Sequence, residues 1–395
     1  MINEISLMSS ISIYFQPINP ETISSLHDEC LGKSMQIHHD GQFPEWEKCD
    51  IVIFGVQEDR ASDSNIGAAD APNKIREELY RLFFHADNKI ADLGNIYQGE
   101  SISDTYKAVE DVIYEVIKKN KTVLFIGGSR DLGFAAYKAY SKLEQTVNVC
   151  SIDPRLNMGP YSSDISPNNF INHIILHEPN YLFNYSSIGY QTYLVPPTEV
   201  ALMNDLFFDH IRLGEIQEDV KKAEPLMRYA DLVTVNINSI RFSEVGLERT
   251  EASPNGFYGE EICQMMRYAG ISDKVSCLGL FDYNPVFNES KFGAKLVAQM
   301  IWCFFEGVCQ RKRDFPIGDK SNYKKYLVPI LGTDHQINFL KSDKSDRWWI
   351  EVPYPPDKRI KFERHHMIPC SYEEYQKAAK GTVPDLWWKT YQKLR

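Results

Sequence analysis

The stretch Gly127-Gly128-Ser129-Arg130-Asp131 directly follows the apolar run Thr122-Val123-Leu124-Phe125-Ile126 and precedes a helical pattern over residues 132–143. A buried strand, a glycine turn and a helix in this order are typical of an open α/β sheet, whose ligands bind at the carboxyl ends of the strands. Two further polar segments, 151–157 and 236–241, follow apolar runs in the same way. The sequence therefore predicts that the functional site lies at these three strand ends.

Apolar runs and helical patterns alternate on both sides of this stretch. Strand-like runs occur at 51–55, 90–94, 122–126, 147–152, 187–195, 231–237 and 275–282. Residues at helical spacing occur at 75–83, 109–117, 132–143, 197–206, 220–229, 260–268 and 296–308, while 207–215 fits either pattern. Because buried strands separated by helices form parallel sheets covered on both faces, we predict a three-layer α/β/α sandwich with a mainly parallel sheet over residues 48–312.

Two segments flank this predicted domain. Residues 1–47 are rich in turn formers and indicate an irregular N-terminal arm, and the basic segment from Arg311 to Pro316 indicates a boundary. The C-terminal extension, 313–395, has strand-like residues at 348–352 and 368 and helical patterns at 372–379 and 386–394. It is too aromatic to be disordered, so we expect it to pack on the main domain or on a partner.

Composition limits the classes of partner. The 395 residues carry 43 basic and 54 acidic side chains, a net charge of -11, which argues against binding to nucleic acid or to an anionic membrane. The eight cysteines form no Cys-x-x-Cys pair, and the sequence has neither a signal-peptide pattern nor 18 consecutive apolar residues. We therefore expect a cytoplasmic protein with reduced thiols, whose partners are small molecules or proteins.

Several short segments carry a resemblance to a known family. In chain order they are Gly55-Val56-Gln57-Glu58-Asp59-Arg60, Asn65-Ile66-Gly67-Ala68, Pro72-Asn73-Lys74-Ile75-Arg76, Gly127-Gly128-Ser129, Ser253-Pro254-Asn255-Gly256 and Asp282-Tyr283-Asn284-Pro285. Over residues 48–312 the chain resembles the ureohydrolases, which include arginase, agmatinase and formimidoylglutamase, and it is nearest the formimidoylglutamase branch. The resemblance implies an arginase-like fold, a trimeric or hexameric homo-oligomer, and hydrolysis of guanidinium or amidine carbons by two manganese ions.

The family's metal ligands are a His after the double glycine, an Asp-x-His-x-Asp stretch and an Asp-x-Asp stretch. Carried over residue by residue, these six ligands fall on Arg130, Asp153, Arg155, Asn157, Asn236 and Asn238, so only Asp153 is kept. The Asp of the family's following Asp-Pro falls on Arg241, and its late catalytic or substrate-orienting Glu falls on Asp282. The resemblance thus identifies the site positions and shows that this chain departs from the family at most of them.

Histidines do not replace the missing ligands in the sequence. The loop 163–170, at the family's acid/base position, has Ser166, Asn168 and Phe170 but no histidine, and the nearest histidines are His173 and His177. The cluster His38-His39-Asp40 lacks a fourth ligand at suitable spacing, so we interpret it as a solvated loop rather than a metal site.

The substitutions predict that no metal cofactor is bound. Mn²⁺ needs carboxylate or imidazole donors, whereas arginine has no acceptor atom and stays protonated. Two hypotheses about function follow. The first is a non-catalytic ureohydrolase homologue that binds a small anionic ligand or a protein partner. The second is an active amidinohydrolase of the formimidoylglutamase type, which cleaves a non-peptide C–N bond, with Mn²⁺ ligands elsewhere or with metal-free chemistry.

The two arginines at ligand positions carry a more specific expectation. If Arg130 and Arg155 share a buried cavity, their repulsion requires an anion nearby, and Asp153 can neutralise only one of them. With Arg241 they would then form an anion-binding pocket, since arginine suits carboxylates and phosphates. The alternative is that Asp153 and backbone carbonyls occupy all the guanidinium donors and leave none for a ligand.

Overall fold

The computed structural model describes residues 11–160, 162–246, 253–288, 291–318, 320–330, 336–358 and 362–395. Within these residues the main sheet has ten strands. They are β1 (Phe15–Gln16), β2 (Gln36–Ile37), β3 (Ile51–Val56), β4 (Ile90–Ile96), β5 (Thr122–Ile126), β6 (Val147–Ile152), β7 (Leu182–Tyr190), β8 (Asp209–Arg212), β9 (Leu232–Asn236) and β10 (Cys277–Phe281). The order across the sheet is β1-β4-β3-β5-β10-β9-β6-β7-β8, and β2 also pairs with β4.

The sheet is parallel except at one edge, where β1 runs antiparallel to β4. Every residue of β3, β5, β6, β9 and β10 is buried, as expected for strands covered by helices on both faces. The carboxyl ends of β5, β6, β9 and β10 meet at one edge of the sheet. The predicted α/β/α sandwich with a mainly parallel sheet is therefore confirmed.

Helices cover the sheet on both faces. They are α1 (Ala71–Leu79), α2 (Ile102–Lys118), α3 (Leu132–Lys142), α4 (Phe170–Leu176), α5 (Pro197–Asp205), α6 (Leu213–Glu218), α7 (Ala223–Tyr229), α8 (Gly259–Ile271) and α9 (Phe292–Cys309). Helices α1, α6, α7, α8 and α9 contribute to one buried apolar cluster, and α2, α3, α4 and α5 contribute to the other. The sheet lies between these two halves of the core.

Helix α9 is long and apolar enough to cross a membrane by length and mean hydropathy, but 56% of it is buried inside the protein. Met300, Ile301 and Phe304 of this helix are fully buried and belong to the same apolar cluster as α1 and α8. In this structure α9 is a central helix of the core.

Two expectations about local structure were wrong, and one segment that fitted either pattern is now assigned. The strand expected at 187–195 is Leu182–Tyr190, because Thr192–Leu194 forms a 3₁₀ turn. The ambiguous segment 207–215 contains both β8 and the start of α6. Residues 11–47 are not irregular throughout, since they supply β1 and β2, which are too short to give a periodic pattern.

The C-terminal extension forms a second, antiparallel sheet. Its strands are β11 (Tyr323–Pro329), β12 (Gln336–Ser342), β13 (Trp348–Glu351) and β14 (Met367–Cys370), followed by α10 (Tyr372–Ala379) and α11 (Asp385–Leu394). The sequence did not predict β11 and β12, in which lysines and other polar residues interrupt the apolar ones. The extension packs on the main domain at α7, where Arg228 donates to the carbonyls of Trp348 and Cys370 at 3.2 and 3.1 Å.

Candidate functional site

The turn after β5 is held against the loop after β3 by a close approach of the backbone. A Cβ atom on Gly128 would lie 2.0 Å from the carbonyl oxygen of Glu58, so a larger residue does not fit there. The amide of Ser129 donates to the same carbonyl at 3.2 Å, and the amide of Asp282, after β10, donates to the carbonyl of Gly128 at 2.8 Å. These contacts fix the direction in which Arg130 leaves the turn.

Arg130 points into the interior and is buried together with two carboxylates. Its Nη1 donates to Oδ2 of Asp282 at 2.6 Å, and its Nε lies 3.8 Å from Oδ2 of Asp153. Both carboxylates are almost completely shielded from solvent. A guanidinium group, with two carboxylates beside it, therefore occupies the meeting point of β5, β6 and β10.

The loop 163–170, which we call the covering loop, is held by the same guanidinium. Nε of Arg130 donates to the carbonyl of Pro167 at 3.0 Å, and Nη2 donates to Oδ1 of Asn168 at 2.8 Å. Asn168 was visible in the sequence as an occupant of this loop. The role of Pro167 was not, because it acts through a backbone carbonyl that any residue would supply.

Asp153 accepts hydrogen bonds from two side-chain amides and one backbone N–H. Nδ2 of Asn157 and Nδ2 of Asn236 donate to Oδ2, each at 2.9 Å, and the amide of Arg155 donates to Oδ1 at 2.8 Å. Burial raises the pKa of Asp153, while the charge of Arg130 and these hydrogen bonds act in the opposite direction. Both asparagines thus act as donors to the one carboxylate that the family pattern keeps.

Asp282 reaches Arg130 from a left-handed backbone conformation, with φ of 69°. Its Oδ1 accepts from Nδ2 of Asn65 at 3.4 Å, and Nδ2 of Asn284 donates in turn to Oδ1 of Asn65 at 2.9 Å. All three side chains are buried. The Asp-Tyr-Asn-Pro segment is therefore fixed to the loop after β3 by a chain of amides.

Asn238 lies at the same edge of the sheet with its polar atoms unsatisfied. Its side chain is buried, and within the described residues neither its Oδ1 nor its Nδ2 has a hydrogen-bond partner. Oγ of the adjacent Ser239 is also buried without a partner among those residues. By contrast, Oδ1 of Asn236 accepts from the amide of Asn238 at 2.8 Å. The end of β9 therefore presents polar groups that could accept a small hydrogen-bonding molecule.

Asp131 is a buried acid that the sequence argument missed. It accepts from the hydroxyl of Tyr106 at 2.5 Å and from the hydroxyl of Ser129. Burial raises the pKa of Asp131 to about 6, against the lowering effect of these hydrogen bonds, and the charge of Asp282 adds to the increase. The partner Tyr106 lies on α2, so no short motif connects it with Asp131.

Arg155 and Arg241 do not join Arg130, and the expectation of a shared buried cavity is wrong. The side chain of Arg155 is exposed and donates from Nη1 to the carbonyl of Leu194 at 2.9 Å. Arg241 donates to the carbonyl of Gly256 and its guanidinium carbon lies 3.5 Å from the centroid of the Tyr258 ring. A second buried guanidinium beside Arg130 would repel it, so solvent is the less costly position for Arg155.

The four histidines singled out in the sequence lie elsewhere. The rings of His173 and His177 pack edge-on against Phe134 of α3. His38 is buried, with Nδ1 3.0 Å from the carbonyl oxygen of Leu93, so a solvated loop is the wrong description for it. His39, next to it, lies 3.1 Å from the carboxylate of Asp40. None of these contacts involves Asp153 or Asp282.

The donor atoms at this edge of the sheet differ from those of a manganese site. In the described part of the chain, no group of three or more His, Cys, Asp or Glu side chains is arranged to hold a metal ion. Asp153 and Asp282 are the two carboxylates that lie within 4.0 Å of Arg130 among the described residues. Chemically, the arrangement is a buried ion-pair cluster with surrounding amides.

Comparison with known proteins identifies the family. The sequence model of the arginase family matches residues 49–306. The chain belongs to the arginase family. It is 23% identical over 268 residues to formimidoylglutamase from Staphylococcus epidermidis, a match that covers 64% of this chain and 84% of the relative. Formimidoylglutamase from Lysinibacillus sphaericus is 24% identical over 140 residues, or 34% of this chain and 43% of that protein.

Solved structures share the fold of this arginase-family chain. Formiminoglutamase from Trypanosoma cruzi, solved with Mn²⁺, superposes with a TM-score of 0.63 at 18% identity and covers 71% of this chain and 99% of its own. Formimidoylglutamase from Bacillus subtilis gives 0.61 at 17% identity, with 69% and 90% covered. The C-terminal extension lies beyond the family match, which ends inside α9.

Proposed function

We propose that this chain is an arginase-family pseudoenzyme that has lost dimanganese hydrolysis and acts by binding a small ligand or a protein partner. The observation that carries the proposal is the position of Arg130, whose guanidinium lies 2.6 Å from Asp282 and 3.8 Å from Asp153. It pairs with both carboxylates on which a cation at this edge of the sheet would depend, and it offsets one of their two negative charges.

The positive charge of Arg130 opposes a metal ion at this position. Two unit charges of the same sign, 4 Å apart, repel by about 4 kcal/mol at an effective dielectric of 20, and a divalent cation doubles that figure. Asp153 already accepts three hydrogen bonds, and neutral amides are weaker ligands for Mn²⁺ than carboxylates. These groups do not fit a manganese pair, and we derive no reaction step from one.

The same contacts give the cluster a structural role. Arg130 connects the ends of β5, β6 and β10 to the covering loop, so it replaces the connection that shared ligands give to a metal centre. The side-chain Oδ1 and Nδ2 of Asn238, at the end of β9, have no hydrogen-bond partner within the described residues, and neutral amide groups suit a hydrogen-bonding ligand better than a cation. All eight cysteines are unpaired, which is consistent with the cytoplasmic location we expect.

The test is a metal analysis of protein purified from cells grown with manganese. We expect manganese far below one ion per chain, no increase in Tm on titration with Mn²⁺, and no hydrolysis of N-formimidoyl-L-glutamate above the uncatalysed rate. Formimidoylglutamase from Bacillus subtilis, treated in parallel, serves as the positive control. Near-stoichiometric manganese that raises Tm, or hydrolysis that a chelator abolishes, would overturn the proposal.

A single substitution tests whether Arg130 is the reason that the protein excludes Mn²⁺. Arg130→Ala leaves Asp153 and Asp282 without their cation, so we expect the variant to bind Mn²⁺ weakly in a calorimetric titration in which the wild type gives no signal. Equal Mn²⁺ affinity of the wild type and the variant would mean that the guanidinium is not what excludes the metal.

A further inference from the structure

A cavity of about 520 Å³ lies at the amino ends of β5 and β10, the opposite edge of the sheet from Arg130. Residues 117–118, 120–122 and 273–276 form its main-domain side together with Leu143, Gln145 and Arg311, and Phe315, Ile317 and Arg364 of the C-terminal extension form the rest. A second lobe of about 570 Å³ adjoins it and shares Lys121, Asp273 and Arg311. The cavity therefore exists because the extension folds against the family domain.

The lining of the cavity is strongly cationic although the chain as a whole is acidic. Its cations are Lys118, Lys121, Lys274, Arg311 and Arg364, and its one acidic side chain is Asp273. The net charge of the protein is -11, so a random sample of its charged residues would contain more acidic than basic side chains. An excess of positive charge around a space of this size attracts an anion.

Arg311 has neutral partners at every nitrogen of its guanidinium. It donates to the carbonyls of Gly270 and Val275 at 2.9 and 2.7 Å and to Oγ1 of Thr122 at 3.0 Å. Within the described residues no carboxylate oxygen lies within 4.0 Å of it. The carboxylate of Asp273 instead accepts the backbone amides of Arg313 and Asp314. Burial lowers the pKa of Arg311 to about 10, an effect that Asp273 opposes.

Two further cations share a single carboxylate. Asp231 accepts from Nη2 of Arg364 at 2.7 Å and lies 3.8 Å from Nζ of Lys274. Nε of Arg364 is buried and has no hydrogen-bond partner among the described residues. Half-buried Lys121 has no acidic partner within 4.0 Å in the same part of the chain. Counted together, the cations around the cavity exceed Asp231 and Asp273 by three charges.

We propose that this cavity binds a phosphorylated small molecule that carries an apolar or aromatic moiety. Arginine and lysine are the side chains that bind phosphate oxygens in proteins, and partly buried cations without counter-charges gain most from such a ligand. Ile117, Leu143 and Phe315 form the apolar part of the wall. The volume lies within the range of small-molecule sites and accommodates a nucleotide.

The site is independent of the cluster around Arg130, because it involves neither the residues nor the chemistry of the family's metal centre. Its position between the family domain and the extension makes the extension part of a binding site. A ligand held there would contact both units and would stabilise the folded state in proportion to its occupancy.

The experiment is calorimetric titration of the full chain with ATP in the presence of EDTA, and separately with pyrophosphate and citrate, at constant ionic strength. We expect saturable binding of ATP and pyrophosphate, with ATP tighter because of its base, and citrate at least tenfold weaker. Absence of saturable binding for both phosphates overturns the proposal, and citrate binding as tight as that of ATP overturns its assignment to phosphate.

Two variants locate the site. Lys121→Gln removes a lining charge that has no ion pair within the described residues, and it should weaken ATP binding about tenfold, or about 1.4 kcal/mol. Lys119→Gln is the matched control, because Lys119 does not line the cavity and pairs with Glu47 at 3.3 Å. It should change the affinity less than twofold, and equal weakening by both variants would contradict the proposal. Lys118 also lines the cavity and its side chain is exposed, so Lys118→Gln provides a second test if Lys121→Gln fails to fold.

Discussion

Strands β5 and β10 have a buried arginine near their carboxyl ends and a partly buried arginine near their amino ends, and the two arginines have opposite surroundings. At the carboxyl ends, Arg130 has two carboxylates within 4 Å and a loop folded over it. At the amino ends, Arg311 has neutral oxygens around it and opens on a cavity of about 520 Å³. A guanidinium shielded from solvent therefore indicates an anion site only where the protein has not already supplied the anion.

The largest effect should come from removing the closer counter-charge of Arg130. Asp282→Asn keeps the shape of the side chain and tolerates the positive φ, but it leaves Arg130 with only the more distant Asp153. We expect a loss of about 3–5 kcal/mol in the free energy of unfolding, measured by urea denaturation.

The control for Asp282→Asn is Asp164→Asn. Asp164 is an exposed carboxylate of the covering loop and has no ion pair within the described residues. The substitution should change stability by less than about 0.5 kcal/mol. If Asp282→Asn costs no more than this control, the ion pair at the carboxyl ends is solvated and the contrast with Arg311 fails.

The second effect is a pH dependence of the stability that Lys274 contributes at the amino ends of the strands. Burial lowers the pKa of Lys274 to about 8, and the charge of Arg364 lowers it further, while Asp231 raises it. The facing His365 also has a lowered pKa because of burial, so it adds no charge near neutral pH. The unfolded chain, with an ordinary lysine pKa near about 10.4, binds more protons than the folded chain between about pH 8 and pH 10.

The stability contribution of Lys274 should therefore rise with pH across that window, by about 3 kcal/mol for roughly two pKa units. The measurement is the difference in urea midpoint between the wild type and Lys274→Met at pH 7, 8, 9 and 10. A difference that stays constant with pH would show that Lys274 is charged and compensated in the folded state, which would weaken the contrast between the two ends.

A smaller effect is expected at the covering loop. Asn168→Ala removes the hydrogen bond from Nη2 of Arg130, so we expect a loss of about 1 kcal/mol and faster amide hydrogen exchange across 163–170. Ser163→Ala is the matched control, since this exposed hydroxyl makes no hydrogen bond within the described residues. Unchanged exchange in Asn168→Ala would mean that Arg130 does not hold the loop.

The smallest effect should follow Arg155→Gln. Because this side chain is exposed and makes one hydrogen bond to a carbonyl, its loss should cost less than about 1 kcal/mol in urea unfolding. A loss of more than about 2 kcal/mol in the free energy of unfolding would indicate that Arg155 lies in the buried cluster, so that two arginines surround Asp153.

The sequence predicted the sheet well because the central strands are mainly apolar and alternate with helical patterns. It also identified Arg130, Asp153 and Asp282, since the family motifs lie at fixed positions relative to those strands. It misplaced Arg155, because spacing along a strand end does not determine whether a long side chain turns inward or toward solvent. In this chain the guanidinium of Arg130 already occupies the interior position.

The cavity at the amino ends could not be predicted from the sequence. Lys121, Lys274, Arg311 and Arg364 are far apart in the chain and belong to no motif, so only the packing of the extension brings them together. The sequence also failed to predict the strands β11 and β12. Their polar faces lack the apolar continuity that made the central strands recognisable.

The contacts between α7 and the extension also bear on whether the family domain can exist alone. Arg228 is buried and donates to carbonyls of β13 and β14, and Asp231 pairs with Arg364. A chain ended after residue 312 would expose the apolar surface under β13 and leave Arg228 without these acceptors. The match to the Trypanosoma cruzi structure covers 99% of that chain. In the present protein we nevertheless expect truncation after residue 312 to yield an aggregating fragment rather than a smaller domain.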